Sequence, residues 1–289
     1  MSWAILILLI TLNSLGNARK LTTTENERNS QNCGVHFLGE RTPSEKRLYK
    51  KSIGGRQFKQ GEYPWTMILV SKRSGLFCSG VQISPLHILT AAHCAVEYDA
   101  VSNFLQCHSN RSYGAVSVMR NPDNILVYIG GNKTSCDNPL LCPSHEAVYF
   151  AKKITATNLD LCNFDRDLAL IELRQNISET HSTPICMPAE DLQLDNVLYA
   201  SGSGMDLNVP KTLADPQRFS RGQQVVALKL HGFDEAMHKI VTETFQKGIL
   251  LGDSGGPLFQ VNDRDKHTLV GITSSFPIPA DRKKSKVTL

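Results

Sequence analysis

The residues best suited to chemistry stand at positions 252–257, which read Gly-Asp-Ser-Gly-Gly-Pro. They place the hydroxyl of Ser254 in a turn whose glycines leave the backbone amides uncovered. A tetrahedral intermediate of acyl transfer needs N–H donors directed at its oxyanion, and the amides of Gly252 and Ser254 can supply them. The motif therefore predicts a nucleophile beside an oxyanion hole, and a tight turn before a strand at Pro257 is the alternative.

Two further motifs precede Ser254 in the chain. Residues 90–94 read Thr-Ala-Ala-His-Cys and contain His93, and residues 165–170 read Asp-Arg-Asp-Leu-Ala-Leu and contain Asp167. An imidazole can take a hydroxyl proton and later give it to a leaving amine, while a carboxylate holds the other ring nitrogen. Alone, the histidine is as well explained by a structural role and the aspartate by a surface position. Together with the glycine-rich motif they predict a triad of His93, Asp167 and Ser254.

These motifs resemble those of the chymotrypsin and trypsin family of serine endopeptidases (peptidase S1), which carries its triad in the same order. The resemblance covers nearly everything after Lys51. It implies an all-β fold of two six-stranded antiparallel barrels with the triad in the cleft between them. It also implies protein or peptide substrates, an activating protease and protein protease inhibitors as partners, and neither a cofactor nor a metal.

The hydrophobic pattern independently predicts an all-β domain, because short apolar and β-branched runs alternate with turns from Trp65 onward. Only the stretch from Phe233 to Phe245 suggests a helix. With 289 residues and a net charge of +4, one two-lobed domain is expected, and no nucleic-acid motif is present. The predicted strands span residues 65–70, 81–90, 125–131, 147–156, 167–173, 196–202, 225–230, 256–261 and 267–275.

The first eighteen residues predict a secretory signal peptide cut near Ala18. An apolar run from Trp3 to Leu12 is followed by small residues, and the run is too short to span a bilayer. A weak signal anchor is the alternative, because no positive charge precedes the run. We therefore expect an extracellular protein without another membrane segment. Three glycosylation sequons agree with passage through the secretory pathway, at Asn110, Asn132 and Asn176.

Eight cysteines in an exported chain predict disulfides, since no pair has the Cys-x-x-Cys spacing of zinc ligands. The resemblance implies a bridge between Cys78 and Cys94 that pins the His93 segment. It also implies a bridge between Cys33 and Cys186 that ties a cleaved propeptide to the catalytic domain. Three pairings stay open for the other four, Cys107, Cys136, Cys142 and Cys162.

Residues 19–51 are polar and charged, and they predict a propeptide in front of a protease domain at 52–289. Lys51 precedes Ser52-Ile-Gly-Gly, where zymogens of the family have a basic residue followed by an apolar start. The resemblance implies cleavage after Lys51 and insertion of the new Ser52 amine beside Asp253. An ordinary exposed basic stretch is the alternative.

Three departures from the family bear on function. At the base of the primary pocket, six residues before the nucleophile, trypsin-like members have Asp and this chain has Gly248. With Ile249, Ser274 and Phe276 around it, the pocket should prefer small or apolar side chains, because a buried cation would lack a counter-charge.

The second departure is the separation of 74 residues between His93 and Asp167, with most of the excess between Cys94 and Ile125. A lid over the cleft and a plain surface insertion are equal alternatives. The third is that only 35 residues follow Ser254, without the family's recognisable closing strand and terminal helix, which leaves the second barrel's completeness open. A protease-like protein that binds without turnover is therefore the alternative function.

Overall fold

A computed structural model describes residues 18–36, 55–59, 61–74, 77–109, 118–129, 148–204, 223–235, 239–244, 249, 251–274 and 284–288. Strands far outnumber helices within these residues, as expected of an all-β protein. The helices are α1 (Thr23–Asn32), α2 (Ala92–Ala95) and α3 (Ala100–Ser109). The strands are β1 (Arg56–Gln57), β2 (Thr66–Ser71), β3 (Phe77–Gln82), β4 (His87–Thr90), β5 (Val96–Glu97), β6 (Val118–Met119), β7 (Ile125–Ile129), β8 (Val148–Ala156), β9 (Ala169–Leu173), β10 (Val197–Gly202), β11 (Gln224–Asp234), β12 (Lys239–Thr244), β13 (Pro257–Val261), β14 (His267–Thr273) and β15 (Lys284–Thr288).

The first half of the fold is a closed barrel of β2, β3, β4, β9, β8 and β7. Its strands β4 and β9 are buried along their whole length because both faces are covered. Ile88 and Ile171 are paired and pack inside the barrel, whereas the next pair, Leu89 and Leu170, packs in a second cluster. That second cluster also contains Phe259 of the other sheet. The two-residue period of the strands thus divides their side chains between the barrel interior and the contact with the second half.

The second half is a sheet in the order β1, β11, β10, β13, β14, β15, β12. Strand β12 also pairs with β11, so the sheet returns onto itself through six strands and β1 joins it at β11. The strand that completes this circuit is β15, which pairs with β12 on one side and β14 on the other. The short carboxyl-terminal segment therefore supplies a strand that the sequence pattern did not reveal.

The predicted helix over Phe233 to Phe245 is wrong. Strand β11 continues to Asp234 and β12 begins at Lys239, with Phe233 opposite Ile240. From Ile240 to Glu243 in β12, the buried residues Ile240 and Thr242 alternate with the more accessible Val241 and Glu243, which is the period of a strand. Pairing with β11 and β15 outweighs local helix preference here, and a sequence window contains neither partner.

The three helices α1, α2 and α3 all lie where the sequence analysis predicted none. Helix α1 crosses the predicted propeptide and begins with a capping box, in which Glu25 N donates to Thr22 Oγ1 and Thr22 N donates to Glu25 Oε2. The Thr-x-x-Glu spacing is a sequence signal of this cap. The backbone N–H of Thr22 and the Arg19 side chain lower the pKa of Glu25 to about 2. Helix α3 lies in the long segment after His93.

Three disulfides join described residues, and they include both bridges that the resemblance implied, Cys33–Cys186 and Cys78–Cys94. The third joins Cys107 of α3 to Cys162, which selects one partner among those left open. Asn103 Nδ2 of α3 also donates to the carbonyl of Leu161 at 3.3 Å, so the helix and this loop are held at two points. Cys136 and Cys142 lie outside the described residues.

The segment 18–36 is held against the rest of the protein by more than its disulfide. Gly34 N donates to the carbonyl of Pro184 at 2.8 Å, and Asn29 Nδ2 donates to the carbonyl of Ile83 at 2.9 Å. Arg19 N donates to the buried Glu172 at 3.1 Å. The predicted signal residues before Ala18 lie outside the described residues, and no described helix is long and apolar enough to cross a membrane.

Candidate active site

The first barrel brings His93 and Asp167 together through the register of two neighbouring strands. Thr90 at the end of β4 is paired with Ala169 at the start of β9. Since antiparallel neighbours place the end of one strand beside the start of the next, helix α2 with His93 lies next to the residues that precede β9. His93 N donates to Asp167 Oδ1 at 2.8 Å, and His93 Nδ1 lies 2.8 Å from Asp167 Oδ2. The carboxylate thus fixes both the backbone and the ring of the histidine.

Asp167 is completely buried, and its charge is satisfied by polar donors. Besides His93, Ser274 Oγ donates to Asp167 Oδ2 at 2.5 Å from the end of β14. Burial alone would raise the pKa of Asp167, but the charge and hydrogen bonds of His93 and the Ser274 hydroxyl outweigh it and lower this pKa below its ordinary value. The group is therefore a carboxylate at neutral pH. Ser274, predicted at the pocket edge, makes this contact with Asp167, which the sequence analysis did not foresee.

The loop before Asp167 contains a residue that the sequence analysis missed. The ring of Phe164 meets the His93 ring edge to face, with centroids 5.5 Å apart. Phe164 and Arg166 have φ of 52° and 55°, which is left-handed backbone that side chains other than glycine rarely adopt. The disulfide at Cys162 anchors the same loop to α3. No sequence signal marks these dihedral angles, because the closed loop imposes them.

Ser254 lies in a turn wedged between the two halves of the fold. Ser79 N in β3 donates to the carbonyl of Ser254 at 2.8 Å, and Gly255 N donates to the carbonyl of Thr273 at 2.7 Å. A Cβ on Gly255 would stand 2.1 Å from Thr90 Oγ1, so only glycine permits this approach. The disulfide sulfur of Cys94 lies 3.7 Å from the Ser254 carbonyl oxygen, which places the turn beside the His93 helix. Among the described residues, no hydrogen bond joins the Ser254 hydroxyl to His93.

The turn also contains the predicted oxyanion and activation residues. Gly252 has a φ of 95°, and neither its amide nor that of Ser254 donates a hydrogen bond to any described group. Between them, Asp253 Oδ1 accepts from Gly204 N at 2.7 Å. A Cβ on Gly204 would stand 2.4 Å from the Asp253 carboxyl carbon, so the loop closes tightly around this side chain. The predicted activation residues Lys51 and Ser52 lie outside the described residues.

The pocket is described only in part. Ile249 is 6% exposed and packs in the apolar core of the second sheet, with Leu258 and Val270 among its neighbours. Gly248 and Phe276 lie outside the described residues, so the composition of the pocket stays a prediction. Among the sequons, Asn176 is exposed, and Asn110 and Asn132 lie outside the described residues.

One group in the described residues has the spacing of metal ligands, but its chemistry does not suit a metal. Ligand atoms of Cys78, His93 and Cys94 lie within 4.8 Å of one another. The two sulfurs are joined in a disulfide and cannot act as thiolates. The disulfide in this group attaches helix α2 covalently to strand β3.

The fold and this set of side chains agree with a sequence comparison. Residues 52–287 match the trypsin family, and the chain belongs to this family of serine endopeptidases. It is 27% identical over 260 residues to the atrial natriuretic peptide-converting enzyme of Homo sapiens, with 84% of this chain and 21% of that enzyme covered. With the Mus musculus enzyme it is 26% identical over 254 residues, with 84% and 20% covered. The chain thus spans about a fifth of the length of these curated relatives.

Replacing Asp167 by Asn tests the contact with His93. The amide keeps the shape of the carboxyl group but not its charge, so it favours the wrong imidazole tautomer and does not stabilise an imidazolium. We expect kcat on a peptide substrate to fall by about 10⁴-fold with little change in KM. The matched control is Asp165→Asn, which alters an accessible carboxylate in the same loop and should leave kcat within about twofold. Equal losses in both variants would contradict the assignment.

The loss of stability in Asp167→Asn, relative to the parent protein, should also depend on pH. Because the pKa of Asp167 is lowered in the folded protein, its stabilising effect is fully present above the unfolded value near pH 4. The effect is lost as the pH falls through the lowered folded pKa. The difference in unfolding temperature between the parent protein and Asp167→Asn should therefore not shrink between neutral pH and about pH 4, and it should shrink below about pH 4. A difference that already shrinks between pH 8 and pH 6 would contradict this.

Proposed function

We propose that this protein is a secreted serine endopeptidase, made as a zymogen, that hydrolyses peptide bonds through an acyl-enzyme. The observation that carries the proposal is the buried Asp167 carboxylate, which binds His93 at two points and accepts a third hydrogen bond from Ser274. Burying a charge is costly even when it is paired, and buried charged groups with a shifted pKa cluster at functional sites.

In the proposed reaction Ser254 Oγ attacks the carbonyl carbon of the scissile bond while His93 Nε2 takes its proton. The amides of Gly252 and Ser254 stabilise the oxyanion of the tetrahedral intermediate. His93 then gives the proton to the leaving amine, and the acyl group stays on Ser254. His93 then takes a proton from water, which attacks the ester carbonyl, and gives that proton to Ser254 Oγ as the acid product leaves. Asp167 keeps its charge and stabilises the imidazolium throughout.

The proposed reaction requires a hydrogen bond between Ser254 and His93, which must form when the substrate binds. Catalytic hydrogen bonds in sites without substrate are often long and tighten only in the substrate complex. The separated Ser254 and His93 side chains agree with such a state. Neither oxyanion donor is hydrogen-bonded to a described group.

We extend the proposal to secretion and to the inactivity of the uncleaved protein. Three disulfides among the described residues favour an oxidising compartment, and residues 1–18 serve as the signal peptide. Residues 19–51 are the propeptide, whose cleavage after Lys51 leaves it attached through Cys33 and Cys186. The new Ser52 amine then pairs with Asp253. Sugars are attached at Asn110, Asn132 and Asn176.

For the substrate, we propose a protein or peptide and no narrower class. The relatives are named for converting atrial natriuretic peptide, but the chain spans about a fifth of their length. Helix α3 borders the cleft in this proposal, since Cys107 and Asn103 hold it to the loop with Phe164 beside His93. It would act as a lid that limits the size of the substrate.

The decisive experiment is labelling of the cleaved protein with a fluorophosphonate, which reacts only with an activated serine. We expect the parent protein to be labelled on Ser254 and to hydrolyse peptides, and both properties to be lost in Ser254→Ala and His93→Ala. Ser178→Ala, which changes an exposed serine, is the control and should be labelled like the parent. Absence of labelling in the cleaved parent would instead favour a protease-like binding protein.

A second experiment tests the activation junction. We expect Lys51→Gln to stay inactive on exposure to a trypsin-like activator, because no Ser52 amine is released to pair with Asp253. Lys50→Gln keeps the scissile bond and should be activated normally. After cleavage, the propeptide should leave the catalytic domain on a reducing gel only. Its loss on a non-reducing gel, or full activity of Lys51→Gln, would count against the proposal.

A third experiment tests the pocket. A peptide library should show cleavage after small and medium apolar residues in preference to Arg or Lys, because a cation would lose its hydration and meet no counter-charge at Gly248. Selection among apolar residues should be broad, since one methylene changes it by only about 1 to 3 kcal/mol. Gly248→Asp should shift the preference toward Arg and Lys, with Gly248→Ala as the control. A parent profile that peaks at Arg or Lys would show that Gly248 is not the base of the pocket.

A further inference from the structure

We propose that Ser79, in strand β3 of the first barrel, is a positioning residue for the oxyanion hole. The inference rests on the proposed function, because it assigns a role in that reaction to a residue outside the triad. Ser79 is completely buried and belongs to neither the Ser254 turn nor any of the motifs that identify the family.

The contacts of Ser79 reach both residues that supply the oxyanion donors. Its hydroxyl donates to the carbonyl of Gly252 at 2.8 Å, and its backbone N–H donates to the carbonyl of Ser254 at 2.8 Å. The same hydroxyl accepts a hydrogen bond from Ser203 N at 2.9 Å. Ser79 thus joins the first barrel to both sides of Asp253 in the turn.

The contact with Ser203 extends this control to the support of Asp253. Ser203 lies between Gly202 and Gly204, the two positions at which a Cβ would collide with the Asp253 carboxyl group. Gly204 N also donates to Asp253 Oδ1 at 2.7 Å. The Ser79 hydroxyl thus links the 202–204 segment to the 252–254 segment, in addition to their direct hydrogen bond, and the two segments together enclose this carboxylate.

The turn needs such an external restraint because of its glycine. Gly252 has a φ of 95° and no Cβ, so its own sterics leave several orientations of its peptide groups open. The hydrogen bond from Ser79 fixes the Gly252 carbonyl and with it the peptide plane that joins Gly252 to Asp253. The Gly252 amide lies in the preceding plane, on the other side of the Gly252 Cα, and fixing one plane limits the orientations open to the other. Without that bond, we expect the Gly252 amide to be directed at the oxyanion for only part of the time. Ground-state binding of the substrate uses other contacts and should not change.

A purely structural role is the alternative, and the chain offers a matched control for it. Ser201 is also a buried serine, and its hydroxyl lies 2.7 Å from Thr66 Oγ1 in the other half of the fold. Ser201→Ala removes one buried side-chain hydrogen bond between the two halves without touching the hydroxyl contacts of the turn. Ser79→Ala and Ser201→Ala should both lower the unfolding temperature, but only Ser79→Ala should lower kcat.

The experiment measures kcat and KM of Ser79→Ala and Ser201→Ala after activation, per active site titrated with a fluorophosphonate. For Ser79→Ala we expect kcat to fall about tenfold with KM within about twofold, less than the 10²- to 10³-fold cost of deleting an oxyanion donor. Affinity for a peptide boronate, which mimics the tetrahedral intermediate, should fall by a similar factor. Affinity for the corresponding product peptide should stay the same as in the parent protein. Ser201→Ala should match the parent in kcat, in KM and in both affinities.

Three results would overturn the inference: a kcat for Ser79→Ala equal to that of Ser201→Ala, a change in KM alone, or equal losses for boronate and product. If Ser79→Ala is not secreted, Ser79→Gly, which also lacks the hydroxyl, replaces it with the same expected values. Because rates are taken per titrated site, a low yield does not change the outcome. An activated parent protein without labelling or turnover would refute the proposed function itself, and the role of Ser79 in it.

Discussion

The burial of one negative charge between two barrels is the constraint on which the rest of this structure depends. The Asp167 carboxylate is inaccessible to water, and burial alone would drive it toward its neutral form. It stays ionised because His93 donates twice and Ser274 once. The first donor comes from the helix after β4 and the last from the end of β14, so this charge requires both halves of the fold to be in place.

Apolar packing between the two halves supplies the frame for that charge. One cluster of buried side chains contains Trp65 and Leu89 from the first half and Phe259 and Leu269 from the second. The Ser254 turn lies at the edge of this contact, where Gly255 approaches Thr90 without room for a side chain. The contact between the halves thus fixes the distance of the turn from helix α2. Small shifts at this contact would move Ser254 relative to His93, because no hydrogen bond joins the Ser254 hydroxyl to the His93 ring.

The segment 18–36 shows how a polar stretch becomes part of a folded domain. Its composition predicts little core, and helix α1 indeed has no buried residue. It is held instead by Arg19 N on Glu172 at one end, by the Asn29 side chain within α1 and by the Cys33 bridge at the other end. His36 follows the bridge and stacks on His267 of β14 with ring centroids 5.0 Å apart. Cleavage downstream of these contacts would leave the segment in place.

The sequence by itself determined the residue types of the proposed triad and the alternation of most strands, and the family resemblance implied two of the bridges. These follow from local patterns, because a strand's period and a motif's spacing are carried by neighbouring residues. Tertiary structure decided the rest. Residues 239–244, within the stretch predicted as a helix, form strand β12 through pairing with β11 and β15. Helix α3 brings Cys107 to Cys162, and Phe164 and Ser79 reach the site across long separations in the chain. Such contacts depend on register and loop closure, which place together residues that no sequence window contains.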